Sequence, residues 1–225
     1  MNRSVLIVLS LALVGCQTPP TPPPTKPVSL SSVFRLAKLE EIDSAIGQAI
    51  AAGKAPGAVV RIESGRAVYQ KTFGDKAAKP ERSPMTADTI FDAASLTKVI
   101  ATAPAIALLI EQGKMGLDDR VEKWIPGFKK NGKGAVTIRH LLTHTSGLRP
   151  GLSPRPEWSG VASAIEKAKA ESLTEQPDTK FIYSDINFIL LGEIVRLVSG
   201  ERLDLFVSKN IFQPLGMNDT GFLPP

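Results

Sequence analysis

The order of the periodic segments narrows the folds that this chain can adopt. Apolar residues recur at helical spacing from residue 33 to Gly53, and a glycine is a typical helix end. Two strand-like segments follow, GAVVRIES and AVYQKTFG, and they are joined around Ser64-Gly65-Arg66, which predicts a hairpin. Helical patterns then dominate, at residues 136–143, 161–170 and 186–198. Early strands followed mostly by helices predict an α+β fold.

The most apolar segment of this region is TIFDAASLTKVIATAPAIALLIEQGK, residues 89–114. We interpret it as a short extended stretch that leads into a long, buried helix beginning near Ser95. With 225 residues and 43% hydrophobic side chains, the chain can bury one sizeable core. Such a composition excludes a disordered or collagen-like chain.

The charged residues do not indicate a nucleic-acid partner. The formal net charge is +5, but lysines and arginines are scattered among acidic residues. Lys129, Lys130 and Lys133 fall in a glycine-containing stretch that we interpret as a solvated loop. We therefore predict no nucleic-acid-binding surface.

The N-terminus has the pattern of a secretory leader. Arg3 precedes an apolar run, Val5 to Val14, that is too short to span a bilayer. Cys16, the single cysteine, closes a Leu-Val-Gly-Cys sequence that resembles the lipobox of bacterial lipoproteins, in which the cysteine is acylated. The alternative is an ordinary leader followed by an accidental cysteine. The resemblance implies a lipid anchor in the bacterial envelope, and Gln17 favours the periplasmic face of the outer membrane.

A proline-rich segment separates the leader from the globular region. The sequence TPPTPPPTKP, residues 18–27, favours an extended polyproline II spacer. We assign residues 1–15 to the signal peptide, 16–32 to this linker and 33–225 to the folded domain.

Ser95 and Lys98 form an S-x-x-K pattern at the predicted start of the apolar helix. Residues three apart share a helix face, so Lys98 can reach the Ser95 hydroxyl. A serine attacks a carbonyl carbon only when a base takes its proton, and burial lowers the pKa of an amine toward the range of a base. From the tetrapeptide alone, the alternative is a helix N-cap followed by a solvated lysine.

Besides the S-x-x-K pattern, several sequence blocks resemble those of one known family, and the resemblance extends from residue 33 to Phe222. In order, they resemble the recurring blocks of the class C β-lactamase-like family, which includes β-lactamases, D-alanyl-D-alanine peptidases and related esterases. The resemblance implies a β-lactamase/transpeptidase-like fold, in which a helical subdomain packs on an α/β sandwich with the active site between them. The blocks are FDAASLTK, GKMGLDDRV, TIRHLLTHTSGL, YSDINFILLGEIV and IFQPLGMNDTGF.

The resemblance also implies roles for individual residues. Ser95 is the implied nucleophile, which becomes acylated, and Lys98 is its implied proton acceptor. The sequence Tyr183-Ser184-Asp185 matches the second motif of the family, which is usually Tyr-x-Asn, and Tyr183 is implied to carry a proton to the leaving group. A phenol does this near neutral pH only if a nearby cation stabilises its phenolate, and Lys98 is the candidate. The alternative for Tyr183 is a core aromatic with a satisfied hydroxyl.

Asp185 departs from the family pattern, which has asparagine at this substrate-binding position. An ionised carboxylate only accepts hydrogen bonds, so it binds Lys98 well and substrate oxygens poorly. It also raises the pKa of a neighbouring lysine and so opposes the effect of burial. The alternative is that Asp185 caps the helix that follows it.

Two other motifs are not predicted to carry chemistry. His140 and His144 have the spacing of a zinc motif, but Leu141 replaces its glutamate, so we interpret both as structural and predict no metal ion. The sequence Lys71-Thr72-Phe73-Gly74 resembles the family's third motif but contains an extra residue and precedes the nucleophile. Family members carry that motif beyond the position of Pro225. We therefore expect this sequence to be the front portion of a gene product, either a truncated sequence or a natural remnant, and we expect these 225 residues to be inactive by themselves.

The sequence thus predicts a serine hydrolase that acts through an acyl-enzyme on peptidoglycan-type amides, β-lactams or esters, without a cofactor. Its expected partners are a small-molecule or peptidoglycan-peptide substrate and, through Cys16, a membrane. The alternative is a catalytically inactive lipoprotein that binds cell-wall material.

Overall fold

A computed structural model describes residues 28–223. The predicted leader, Cys16 and most of the linker lie outside the described residues. The chain divides into two compact units, an N-terminal unit that ends at Thr89 and a C-terminal unit that begins at Ile90.

The N-terminal unit contains one long helix and a three-stranded antiparallel sheet with the order β1-β2-β3. Ser64 pairs with Ala67, so the turn between β1 and β2 contains only Gly65, at φ +57°, and Arg66. The predicted helix and hairpin are therefore confirmed. The elements are a 3₁₀ turn at Leu30–Ser32, α1 at Leu36–Ala51, β1 at Gly57–Ser64, β2 at Ala67–Ala77 and β3 at Ser83–Pro84.

Asp43 connects α1 to the hairpin. Its carboxylate accepts hydrogen bonds from the Tyr69 hydroxyl and the Lys71 ammonium, both on β2. Lys71, the first residue of the sequence that resembles the third motif, is thus used in an ion pair with α1.

The C-terminal unit is built from helices around α5, the longest of them. The predicted helical segments at 136–143, 161–170 and 186–198 are confirmed, with ends shifted by no more than two residues. The sequence did not predict α6 or the π-helical turn Ser208–Phe212. The helices are α2 at Ala103–Glu111, α3 at Ile138–Leu142, α4 at Gly160–Ala170, α5 at Asp185–Ser199 and α6 at Leu203–Val207. Fully buried core residues include Ile106, Leu109, Ile138, Leu141, Ile186, Leu190, Leu191 and Ile194.

The apolar segment that contains Ser95 is helical but irregular. A 3₁₀ turn at Ala94–Leu96 and a π-helical turn at Lys98–Thr102 precede α2. Pro104 lacks the N–H that an α-helix uses, and this favours the wider turn before it. The predicted burial of this segment is confirmed for the face that carries Ala105 and Ile106, whereas Val99 on another face is 61% exposed.

Among residues 28–223, the stretch Ala94–Glu111 alone is long and apolar enough to cross a membrane. Ala101, Ala105, Ile106 and Leu109 from this stretch pack in the core of the C-terminal unit. We therefore interpret it as a core helix.

Lys133 contradicts the predicted solvated loop. The residue is 1% exposed, and its Nζ lies 5.2 Å from the centroid of the Phe128 ring. The ammonium donates hydrogen bonds to the carbonyl oxygens of Lys130 at 2.9 Å and Lys169 at 3.0 Å, and to that of Glu171. Lys133 is buried because it joins its loop to the C-terminal end of α4, whereas Lys129 and Lys130 are exposed as expected.

Candidate active site

Ser95 is exposed on the 3₁₀ turn that opens the apolar segment. The preceding residue, Ala94, has φ +44°, a conformation that residues with a side chain rarely adopt. Its N–H donates a hydrogen bond to the Asp92 carboxylate at 2.8 Å. Backbone strain of this kind concentrates at functional sites, where the surrounding structure holds it in place.

Lys98 lies beside Ser95, as the S-x-x-K spacing predicts. Its Nζ donates a hydrogen bond to Ser95 Oγ at 3.4 Å, and its side chain is only 13% exposed. The interpretation of Lys98 as a solvated lysine is therefore wrong.

Tyr183 and Asp185, nearly 90 residues later in the sequence, lie at the same place. Lys98 Nζ is 2.6 Å from Asp185 Oδ1 and 4.9 Å from the centroid of the Tyr183 ring. The structure thus brings together all four residues that the sequence nominates for chemistry. Ser184 is the N-cap residue of α5 and Asp185 is its first helical residue, so the capping interpretation of Asp185 is wrong.

The pKa of Lys98 reflects two opposing effects. Burial is the largest single influence and lowers it, but hydrogen bonds and charges from Asp185 and Tyr183 together raise the pKa of Lys98 above its usual value. The low pKa expected from burial alone is therefore wrong, and the lysine is held as a cation.

The pKa of Tyr183 moves the other way. Hydrogen bonding to Lys98, and then to Ser95, lowers the pKa of this phenol, while partial burial and the charge of Asp185 oppose the shift. The Tyr183 side chain remains partly open to solvent, since the residue is 45% exposed. Tyr183 is therefore not a core aromatic.

The two histidines bind separate partners. His140 Nδ1 accepts the Thr137 backbone N–H at 3.1 Å in the capping box of α3. His144 Nδ1 accepts the Ser184 N–H at 3.0 Å, and its ring lies against Tyr183. Within the described part of the chain, no group of three or more His, Cys, Asp or Glu side chains is arranged for a metal ion.

A buried polar network next to the site was missed by the sequence analysis. It contains His144, Ser146, Ser184 and Asn187, all 8% exposed or less. The blocks THTSGL and YSDINF, which carry the family resemblance, contain these four residues. The two blocks were the only sequence feature that could have indicated this network. The sequence does not show that their residues contact each other.

Comparison with known proteins identifies the family of this chain. Residues 42–225 match the model of the family described as Beta-lactamase. A relative from Escherichia coli K12, named "Putative D-alanyl-D-alanine carboxypeptidase", is 34% identical over a 248-residue alignment that covers 100% of this chain and 56% of that protein. The chain thus spans about half the length of the curated relatives that it matches.

Solved structures show a similar fold. A class C β-lactamase in complex with cefoxitin is 25% identical, with a TM-score of 0.73 over 84% of this chain and 52% of its own. The octameric penicillin-binding protein homologue of Pyrococcus abyssi is 32% identical, with a TM-score of 0.67 over 82% of this chain and 44% of its own. This chain therefore belongs to the β-lactamase family and has its β-lactamase/transpeptidase-like α+β fold.

Proposed function

We propose that Ser95 is the nucleophile of a serine hydrolase that acts through an acyl-enzyme on peptidoglycan-type amides, β-lactams or esters. One observation carries the proposal. The exposed Ser95 hydroxyl lies 3.4 Å from the Lys98 ammonium, which is also held by Asp185 and lies beside Tyr183. A nucleophile next to a cation and a phenol of lowered pKa is an arrangement that can perform acyl transfer, because the phenolate can take the proton of the nucleophile.

The family resemblance implied Lys98 as the proton acceptor, but the raised pKa of Lys98 makes it a poor base, and we propose Tyr183 for this role instead. Asp185 keeps Lys98 charged, and that charge stabilises the Tyr183 phenolate, so the phenolate is the better base. The Ser95 proton moves to the phenolate oxygen as the bond from Oγ to the carbonyl carbon forms. Tyr183 then returns this proton to the leaving nitrogen or oxygen as the scissile bond breaks. A water molecule repeats the sequence to release the acyl group, while Lys98 remains a cation.

The substrate class follows from Asp185 and from the relatives. With one carboxylate oxygen on Lys98 and a side chain that is 59% exposed, Asp185 is open to accept an N–H from a substrate amide. The name of the E. coli relative favours peptides that end in D-alanyl-D-alanine. We therefore place peptidoglycan peptides first among the three substrate classes.

Covalent labelling tests the proposal. The full-length protein that contains this chain is incubated with a fluorophosphonate probe and with a fluorescent penicillin, and the labelled residue is located by mass spectrometry. We expect Ser95→Ala to abolish labelling and Tyr183→Phe to slow it by about 10²- to 10⁴-fold. Ser159→Ala, at an exposed serine that makes no capping hydrogen bond, is the matched control and should label normally. Full labelling of Ser95→Ala would contradict the assignment.

The inactive lipoprotein is the second candidate, and the Asp185–Lys98 ion pair favours it. A raised Lys98 pKa removes the neutral amine that a lysine base needs, so the site is inactive unless Tyr183 takes the proton in its place. This candidate predicts that neither probe labels the protein, although it sediments with isolated peptidoglycan.

We also propose that Cys16 carries a lipid anchor, which would hold the protein at the periplasmic face of the outer membrane. The support is the Leu-Val-Gly-Cys sequence after an apolar leader, followed by a proline-rich spacer. Several acyl chains at one cysteine would give stable membrane attachment, whereas a single chain would not.

A further inference from the structure

His144 binds the segment that carries Tyr183 from both sides. Its carbonyl oxygen accepts the Ile182 N–H at 2.8 Å, and its ring Nδ1 accepts the Ser184 N–H at 3.0 Å. Tyr183 lies between these two hydrogen bonds. His144 itself has φ +58°, which is uncommon for a residue with a side chain, and it is only 8% exposed.

The His144 ring also packs against the Tyr183 ring. The two centroids are 4.5 Å apart with an interplanar angle of 31°, and the Phe188 ring lies 5.2 Å from His144. Lys98 Nζ is 4.9 Å from the Tyr183 centroid and 5.8 Å from that of Phe188. One aromatic cluster therefore contacts both the phenol and the ammonium of the proposed site.

The protonation state of His144 follows from its partners. A backbone N–H only donates, so Nδ1 carries no proton and the neutral ring has its proton on Nε2. Asn187 Oδ1 accepts from Ser146 Oγ at 2.7 Å, which turns Asn187 Nδ2 toward His144 Nδ1 at 3.4 Å. Two donors thus face the same acceptor atom.

Three ionisable side chains, those of Lys98, Asp185 and Tyr183, lie close enough to affect the His144 ring. Burial is the main reason that the His144 pKa is lowered, and Lys98 lowers it further, while Asp185 opposes the shift. Tyr183 is the ionisable side chain packed directly against it. The ring therefore stays neutral at pH 7 and keeps its acceptor.

We propose that His144 is a positioning residue for the reaction described above. It places the Tyr183 hydroxyl beside Ser95 and Lys98. It does so through the acceptor Nδ1, which holds the Ser184 N–H, and through its ring, which supports the phenol. The inference rests on the proposed function, but the position of the phenol is measurable without turnover.

Tyrosine ionisation supplies that measurement, because the chain contains only two tyrosines. Asp43 raises the pKa of Tyr69 to about 12, whereas Lys98 lowers that of Tyr183, so Tyr183 ionises first in an absorbance titration. Tyr183→Phe assigns this first step by removing it.

Two substitutions separate the functions of the ring. His144→Phe keeps an aromatic ring and removes the acceptor, whereas His144→Asn keeps an acceptor at the δ position and removes the ring. We expect the Tyr183 pKa to rise toward its usual value in both variants, and further in His144→Phe, because the buried Ser184 N–H then lacks a partner and its segment moves. His140→Asn is the matched control, since His140 Nδ1 also accepts a backbone N–H, and it should leave the titration unchanged.

Labelling of Ser95 gives the second readout. The rate with the fluorophosphonate probe should fall at least about tenfold in His144→Phe, and His144→Asn should recover part of it. If the full-length wild-type protein does not label, the proposed function fails, while the titration still decides the role of His144. An unchanged Tyr183 titration in folded His144→Phe, or in His144→Asn if the first variant does not fold, would overturn the inference.

Discussion

Asp185 Oδ1 lies 2.6 Å from Lys98 Nζ, and this ion pair helps to raise the pKa of Lys98 above its usual value. Burial by itself would favour a neutral lysine, but the carboxylate restores its charge. The charged lysine in turn stabilises the phenolate of Tyr183. An asparagine, which the family usually has at this position, supplies no such charge.

Asp185→Asn should therefore move the pH dependence of Ser95 labelling to lower pH. Asp185 raises the pKa values of both Lys98 and Tyr183, so its removal lowers both. The acidic limb, where Tyr183 must lose its proton, and the alkaline limb, where Lys98 loses its charge, shift in the same direction. The measurement is the fluorophosphonate labelling rate from pH 5 to pH 11.

Asp204→Asn is the control for this experiment, because Asp204 pairs with Arg202 at 3.0 Å and not with Lys98. Its profile should match that of the wild-type chain. An Asp185→Asn profile that stays in place would show that the ion pair does not set the two pKa values.

Gly147→Ala should destabilise the C-terminal unit. Gly147 has φ +79°, and a Cβ there would overlap the carbonyl oxygen of Glu175. The left-handed conformation alone costs about 1–2 kcal/mol for a residue with a side chain, and the overlap adds to this. The Gly147 carbonyl also accepts the Thr174 N–H at 2.8 Å, so the segment before Tyr183 would shift.

Thermal unfolding measures the effect, with Gly151→Ala as the matched control. A Cβ at Gly151 meets nothing within 4 Å. We expect a clearly lower melting temperature for Gly147→Ala and little change for Gly151→Ala. Equal melting temperatures for the two variants would contradict the tight approach of Gly147 to Glu175.

Lys133→Met should lower the free energy of unfolding. Methionine preserves most of the buried side-chain volume but leaves the carbonyl oxygens of Lys130, Lys169 and Glu171 without the ammonium. An unsatisfied buried acceptor costs about 1–3 kcal/mol. Burying a charge is itself unfavourable, so the removal of the ammonium charge offsets part of this loss of stability.

Denaturant unfolding of Lys133→Met and of Lys130→Met, an exposed neighbour, gives the comparison. Only the first should lose stability, by about 1–3 kcal/mol. A stability unchanged within error would mean that the buried ammonium contributes no more than an apolar chain of similar size.

Cys16→Ala should block lipid attachment and leave the precursor uncleaved in the native cell. Because Cys16 is the single cysteine, incorporation of an alkyne-tagged fatty acid reports on this residue alone. We expect the wild-type chain and a Thr18→Ala control to incorporate the tag and to fractionate with membranes. An unmodified Cys16 on the mature protein, found by mass spectrometry, would rule out the anchor.

Local patterns were enough to predict most of the elements. The helical repeat before Gly53 and the short turn at Gly65 are properties of neighbouring residues, and both were found where expected. The contact of Ser95 with Lys98 was predictable for the same reason, since three residues of helix set it. Tyr183 and Asp185 were nominated by the order of whole blocks rather than by any local pattern.

The sequence by itself therefore determined the α+β composition, the hairpin, the main helices and the four candidate residues. The tertiary structure alone decided the charge state of Lys98, the burial of Lys133 and the contact of His144 with Ser184. The partners of Lys133 at the C-terminal end of α4 are 36 and 38 residues away in the sequence, and Ser184 is 40 residues from His144. Local periodicity does not show which residues come into contact when they are so far apart in the sequence. The energies of charges and hydrogen bonds depend steeply on the distance between the atoms in space, which only the tertiary structure sets.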